Sequence, residues 1–290
     1  MDDASLPRPS ALEPDPSILH ARINYLADMD EKPRFHAQDH GRDNLRYDPQ
    51  VMPIHDARGW KRPPSLDREG LVLAGHKSAV RDFHDPEEVQ GVYLAEIERL
   101  VQEITGAPRV VVVPGGGLVR FAERSPRFGT GMNTQPARFP HIDWTRNTAP
   151  GLVDNSLFGA EAAAIKPGQR LEGFNLWRAF SPPPHNVPLA VCDARTVEPA
   201  DLVRADGVYD RGDPETWPTS EAYVIKHNPA HRWIWFRDMQ PDEVLVFRAY
   251  DNAPLERPAV PHSAFDDPAC PDDAPGRESI EARAFAIFDD

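Results

Sequence analysis

Hydrophobic and polar positions alternate near the start of the chain, and a longer helical pattern follows. Residues 18–26 alternate in this way and predict a strand. After Asp85, Pro86 suits a first helical turn, and Gly106 is a typical helix stop. Between them, apolar residues recur at helical spacing at Val89, Val92, Ile97, Leu100, Val101 and Ile104. We therefore predict a scaffold helix packed on the outside of a sheet.

The rest of the chain favours strands. Arg109–Val113 predicts a buried strand, Ala137–Asp143 is a second strand candidate, and Thr148–Ala164 predicts a helix. Further short apolar runs, separated by Pro- and Asp-rich turns, predict strands at 174–180, 189–192, 222–227, 233–236, 244–250 and 280–288. Many short strands at modest spacing are typical of a sandwich or barrel, so a mainly β fold is expected.

Composition limits the possible partners and compartment. The 290 residues carry a formal charge of −14, which disfavours nucleic acid and anionic membrane surfaces, since both attract basic patches. No apolar stretch approaches the length of a membrane helix, and the N-terminus has no apolar secretory region. Two cysteines in a chain of this size do not suggest a disulfide framework. We expect a cytoplasmic protein acting on a small molecule.

A candidate metal site begins with His141 and Asp143. In a strand, residues two apart point to the same face, so this imidazole and carboxylate would converge on one point. His262, which follows a strongly apolar strand, is the best third ligand. Two histidines and one carboxylate leave three open positions on an octahedral metal, the arrangement of non-haem iron(II) oxygenases. The pattern predicts iron(II) with 2-oxoglutarate and dioxygen.

An arginine beyond the third ligand fits the same chemistry. Arg277 and Ser279 would face one way in a strand. A guanidinium and a hydroxyl aimed together can hold a carboxylate. The expected occupant is the distal carboxylate of 2-oxoglutarate.

Several ordered motifs carry a family resemblance over roughly residues 85 to 290. They begin at His141, Asn175, Pro188, His227, Met239, Tyr250, His262 and Arg277 and read HIDWT, NLWR, PLAVCDAR, HNPAHRW, MQPDEVLVF, YD, HSAF and RESIEAR. The chain resembles a group of iron(II)/2-oxoglutarate oxygenases of specialised metabolism. This group includes the bacterial cephem 7α-hydroxylase component, a fungal gibberellin desaturase and a fungal endoperoxide-forming oxygenase.

The resemblance implies a double-stranded β-helix, also called a jelly roll, with cupin-like strands and flanking helices. We expect residues 61–290 to form this catalytic domain and residues 1–60 to be an irregular arm packed on it. The resemblance carries over the three metal ligands. It makes Arg277, with Ser279 beside it, the expected 2-oxoglutarate anchor, and Arg283 the alternative anchor. It also suggests that Asn175 and Arg178 hold a cofactor carboxylate or line the substrate pocket. Hydroxylation or desaturation of a small, specialised-metabolite substrate is the expected activity.

Three other interpretations stay open at this point. A cupin-like metalloenzyme would keep the metal ligands without using 2-oxoglutarate, and a catalytically silent binding module would need neither. The glycine run at 115–117 could serve as a nucleotide or S-adenosylmethionine loop, which requires a helix directly after it. The residues that follow are soon interrupted by Pro126 and Gly129, which argues against that loop.

Overall fold

The structure is a computed structural model of the whole chain. It describes residues 17–36, 39–113, 116–130, 135–148, 168–208, 210, 217, 219–253 and 259–289. In this part of the chain the strands, in order, are β1 (Ile18–Leu26), β2 (Arg34–His36), β3 (Tyr47–Asp56), β4 (Leu71–Gly75), β5 (Arg109–Val112), β6 (Leu118–Phe121), β7 (His141–Ile142), β8 (Arg170–Ala179), β9 (Leu189–Cys192), β10 (Leu202–Val208), β11 (Thr219–Ile225), β12 (Trp233–Trp235), β13 (Glu243–Asp251), β14 (His262–Ala264) and β15 (Glu278–Phe288).

These strands form two sheets. The larger sheet has the order β1-β3-β12-β9-β14-β7-β11-β10-β2, and the smaller has the order β4-β13-β8-β15-β5, with β6 pairing to β15. Apolar residues of both sheets meet in one cluster, which includes Trp177 and Phe247 from the smaller sheet and Val191 and Ile234 from the larger. The core therefore lies between two facing sheets, as in a jelly roll.

One helical segment covers the outer face of the smaller sheet. It comprises α1 (Pro86–Glu88), a π-helical turn (Val89–Tyr93) and α2 (Leu94–Thr105). Asp85 caps its start by accepting from the Glu87 N–H, and Gly106 ends it with φ +69°. A left-handed residue at this position is favourable for glycine, which lacks a Cβ. The predicted helix, its stop and its packing on a sheet are confirmed.

Short 3₁₀ turns complete the described helical structure at His40–Arg42, Ala57–Gly59, Ala194–Thr196 and Pro199–Asp201. No helix in the described ranges is long and apolar enough to cross a membrane.

Most predicted strands are confirmed, with two corrections. The strand expected over Ala137–Asp143 is only β7, two residues long, because Pro140 has no N–H to continue the ladder. The residues expected to form an irregular arm include β1 and β3, which pair over nine residues and extend the larger sheet, so that description is wrong for them. The domain boundary at residue 60 stays a prediction.

Two further expectations concern the second predicted helix and the glycine run. The helix predicted over Thr148–Ala164 lies outside the described residues, apart from Thr148. After the glycine run the chain enters strand β6 rather than a helix, so the nucleotide-loop interpretation is wrong. A phosphate loop of that kind depends on the N–H groups of a helix start, which a strand does not offer.

Candidate metal centre

The three predicted ligands come together although 121 positions separate His141 from His262 in the sequence. Strand β14 pairs with β7, and His262 lies directly opposite His141 across that pair. Their ring centroids are 4.2 Å apart. Asp143 follows β7 immediately, and one donor atom from each of the three residues lies within 4.8 Å of the others. The sheet therefore brings two imidazoles and one carboxylate to one point, as predicted.

The two histidines present nitrogens that suit a metal. His141 Nδ1 lies 2.9 Å from the Phe139 carbonyl oxygen, which fixes the ring and leaves Nε2 directed to Asp143 Oδ1 at 3.7 Å. Both ring nitrogens of His262 are buried, and neither makes a hydrogen bond of good geometry among the described residues, although the Val260 backbone lies near the ring. Buried polar atoms are rarely left unpaired, so one of these nitrogens fits a ligand that the protein itself does not supply.

Electrostatics favour the metal-binding protonation states. Burial, together with the neighbouring His141, lowers the pKa of His262 well below its usual value. Burial alone would raise the pKa of Asp143, but the positive charge of Arg283 holds it well below its usual range. Neutral imidazoles and an ionised carboxylate are the forms that coordinate a divalent metal.

Asp143 is held by two donors on one of its oxygens. Asn175 Nδ2 and Arg283 Nε each donate to Asp143 Oδ2 at 2.7 Å. Arg283 also contacts Glu281, with 2.6 Å between Nη2 and Oε1. Asn175 and Arg283 therefore both lie at the site, but they contact the carboxylate ligand. The structure places Arg283 against Asp143 and Glu281; its role as an alternative cofactor anchor stays a prediction.

Arg277 lies in the pocket beside the histidines. Its Nη1 donates to Ser279 Oγ at 2.9 Å, and its guanidinium lies over the Trp177 ring at 5.3 Å. Its Nε and Nη2 are buried and find no hydrogen-bond acceptor in the described structure. Burial, with the nearby charges of Arg120 and Arg138, lowers the pKa of Arg277 to about 9. The guanidinium therefore has unmet donors available for an anion.

The pocket is a partly open cleft, and the space between its lining atoms reaches about 300 Å³ only when open solvent is included. Its lining combines the two histidines with apolar and charged side chains, namely Arg120, Pro136, Ala137, His141, Trp177, Leu189, His262, Ala264, Arg277 and Glu281. Glu281 was not singled out as a site residue from the sequence. The spacing could have identified it: Glu281 lies two residues after Ser279 and four after Arg277, so all three share one face of a strand.

Arg178 does not lie at the site. Its guanidinium donates to the Pro241 and His76 carbonyl oxygens at 2.8 and 3.1 Å and lies over the Tyr93 ring at 5.4 Å. These contacts are on the face of β8 that packs against the helix, whereas Asn175 and Trp177 face the pocket. Residues three apart in a strand point to opposite faces, which corrects the prediction of Arg178 as a pocket residue.

The fold has two facing sheets, and its site combines two buried histidines, a partly buried carboxylate and an arginine with unsatisfied donors. Together these features define a class of protein. That class is the mononuclear non-haem metal enzymes built on a double-stranded β-helix. A family model described as "Oxidoreductase/YMDC permease-like domain" matches residues 23–287. The chain belongs to this oxidoreductase family.

Named relatives agree with this membership. The Fe(II)/2-oxoglutarate-dependent dioxygenase nvfI of Aspergillus novofumigatus is 29% identical over 84% of this chain and 85% of its own. The hydroxylase/desaturase efuI of Hormonema carpetanum is 31% identical over 86% and 88% of the two chains. A solved structure of the iron and alpha-ketoglutarate-dependent endoperoxidase NvfI matches with a TM-score of 0.81, 25% identity, and 95% and 100% coverage. The jelly-roll prediction is confirmed.

Proposed function

We propose that this protein is an iron(II)- and 2-oxoglutarate-dependent dioxygenase. Its substrate would be a small organic molecule of specialised metabolism, which it hydroxylates or desaturates. His141, Asp143 and His262 would hold the iron, and Arg277 with Ser279 would hold the distal carboxylate of 2-oxoglutarate. One observation carries the proposal. His262 and Arg277 line the same pocket, and both have buried nitrogen atoms without a hydrogen-bond partner in the described structure.

The chain's own residues prepare this pocket. The Phe139 carbonyl accepts from His141 Nδ1–H and so presents Nε2 as the coordinating nitrogen. Ser279 accepts from Arg277 and orients its guanidinium, while the indole of Trp177 covers one face of it. When bound, iron with 2-oxoglutarate and dioxygen supplies the oxidising power to remove hydrogen from an unactivated C–H bond, with succinate and carbon dioxide as by-products. Apolar lining from Leu189 would exclude water from the reacting centre.

Arg277 favours this function over a metalloenzyme that needs no diacid. Burying an arginine whose Nε and Nη2 have no acceptor is costly. That cost is understandable where an anionic ligand completes the pair, since a bidentate guanidinium–carboxylate contact is among the stronger polar interactions. A pocket without a diacid gives no reason to retain it.

The remaining parts of the proposal concern surroundings. We expect no nucleic-acid or membrane partner, because the chain has a formal charge of −14. A cytoplasmic location is supported by two free cysteines, buried Cys192 and partly exposed Cys270.

The test is a coupled measurement on the purified protein. With iron(II), 2-oxoglutarate, dioxygen and candidate small molecules, we expect succinate release that rises when a true substrate is present. Asp143→Ala should abolish it, and Arg277→Met should raise the 2-oxoglutarate concentration needed. If Asp143→Ala released succinate at the wild-type rate, the ligand assignment would be wrong.

A further inference from the structure

We propose that Arg283 and Asn175 are positioning residues that keep Asp143 a one-oxygen ligand of the metal. By doing so they would preserve the open positions that the keto acid and dioxygen require. The inference rests on the proposed function, because a metal site that bound no keto acid would not need three open coordination positions.

Strand register places the two donors together. Arg283 on β15 lies directly opposite Asn175 on β8 in the smaller sheet. Both side chains reach the same oxygen, Asp143 Oδ2, each at 2.7 Å. The other oxygen, Oδ1, lies on the side of the histidines, 3.7 Å from His141 Nε2. The two carboxylate oxygens thus have separate environments, one occupied by the protein and one facing the metal ligands.

Coordination chemistry explains why this separation matters. Two histidines and a one-oxygen carboxylate occupy three of six octahedral positions and leave three open. A carboxylate that bound through both oxygens would occupy a fourth position. A chelating keto acid needs two of the remainder, which would leave none for dioxygen. Because an oxygen that accepts two hydrogen bonds, one from a cation, is a weaker metal donor, the pair would keep Oδ2 away from the metal.

Glu281 completes the arrangement. Its Oε1 lies 2.6 Å from Arg283 Nη2, and it sits two residues earlier on the same face of β15. The contact holds the guanidinium with Nε toward Asp143 and offsets one positive charge. Every second residue from Arg277 to Arg283 therefore points to one face. Arg277 and Ser279 would serve the cofactor, and Glu281 and Arg283 would serve the metal's carboxylate.

The experiment uses the full chain loaded with manganese(II) in place of iron and without turnover. Exchangeable waters on the metal are counted from the broadening of the manganese EPR signal in ¹⁷O-water, and metal affinity is measured by titration. We expect three waters in the wild type. Arg283→Met and Asn175→Leu should each lose one water and bind the metal about 10- to 100-fold more weakly. Arg283→Lys, which keeps a cation, should recover part of both.

Control variants separate this role from general stability. Arg178→Met removes a buried arginine from the opposite face of β8, so we expect a lower melting temperature but wild-type water count and affinity. Asn175→Leu carries the test if Arg283→Met does not fold. Three waters and wild-type affinity in the folded variants would overturn the proposal. Succinate release by the wild type tests the proposed function independently of that result.

Discussion

Replacing Arg277 by methionine tests cofactor binding while leaving the three metal ligands in place. Methionine keeps much of the length of the side chain but removes the guanidinium, which is 1% exposed. In the variant, the distal carboxylate of bound 2-oxoglutarate would be buried without its positively charged partner. Removing one partner of a buried charged pair costs roughly 2–5 kcal/mol. At about 1.4 kcal/mol per tenfold, the dissociation constant of 2-oxoglutarate should rise roughly 30- to 4,000-fold.

The same substitution has an opposite consequence without cofactor. In the free protein, Arg277 Nε and Nη2 have no acceptor in the described part of the chain, and each buried unsatisfied donor costs about 1–3 kcal/mol. Arg277→Met removes that cost, so the melting temperature of the cofactor-free protein should be equal to or higher than that of the wild type. Calorimetry with and without 2-oxoglutarate would show both effects, since the added stability from the ligand should disappear.

Two results would refute this reasoning. An unchanged 2-oxoglutarate affinity, measured by titration into manganese-loaded protein, would show that Arg277 is not the anchor. A large fall in the melting temperature of the cofactor-free variant would show that the guanidinium already has a strong partner. Ser279→Ala is the matched smaller change, because it removes the hydroxyl that orients Arg277 but leaves the charge in place. We expect it to weaken 2-oxoglutarate less than Arg277→Met does.

The remaining predictions concern the metal, a buried network and a close backbone contact. Asp143→Ala should abolish metal binding in equilibrium dialysis, and retention of stoichiometric metal would contradict the assigned ligand set. Tyr25→Phe leaves the Trp233 Nε1–H without its acceptor, now at 2.7 Å, and should lower the free energy of unfolding by about 1–3 kcal/mol in urea; an unchanged midpoint would argue against this network. Gly276→Ala would place a Cβ 1.9 Å from the Ser125 backbone nitrogen, so we expect marked thermal destabilisation, and a wild-type melting temperature would disprove the close contact.

Some site properties were readable from local spacing. The pair at His141 and Asp143 needs only the period of two along an extended chain to converge, and the structure brings them together with His262. The same rule applied to Asn175 and Arg178, three apart, already separates their side chains onto opposite faces. That separation is what the contacts of Arg178 show. The error came from assigning roles by motif rather than by strand period.

The sequence by itself determined the local elements. It specified the helix that ends at Gly106, most strands of both sheets, and a hydrophobic pattern compatible with a jelly roll. These follow from interactions within a few residues, such as helical capping and alternation across a pleat.

Only the tertiary structure decided how distant strands combine. Pairing of β14 with β7 sets His262 opposite His141, and pairing of β15 with β8 brings Arg283 beside Asn175, where both contact Asp143. Strand register depends on which faces are buried together across the whole fold, and a shift of one residue would turn each side chain to the other face. Spacing along a single strand cannot contain that information, because it lies in the contact between two strands.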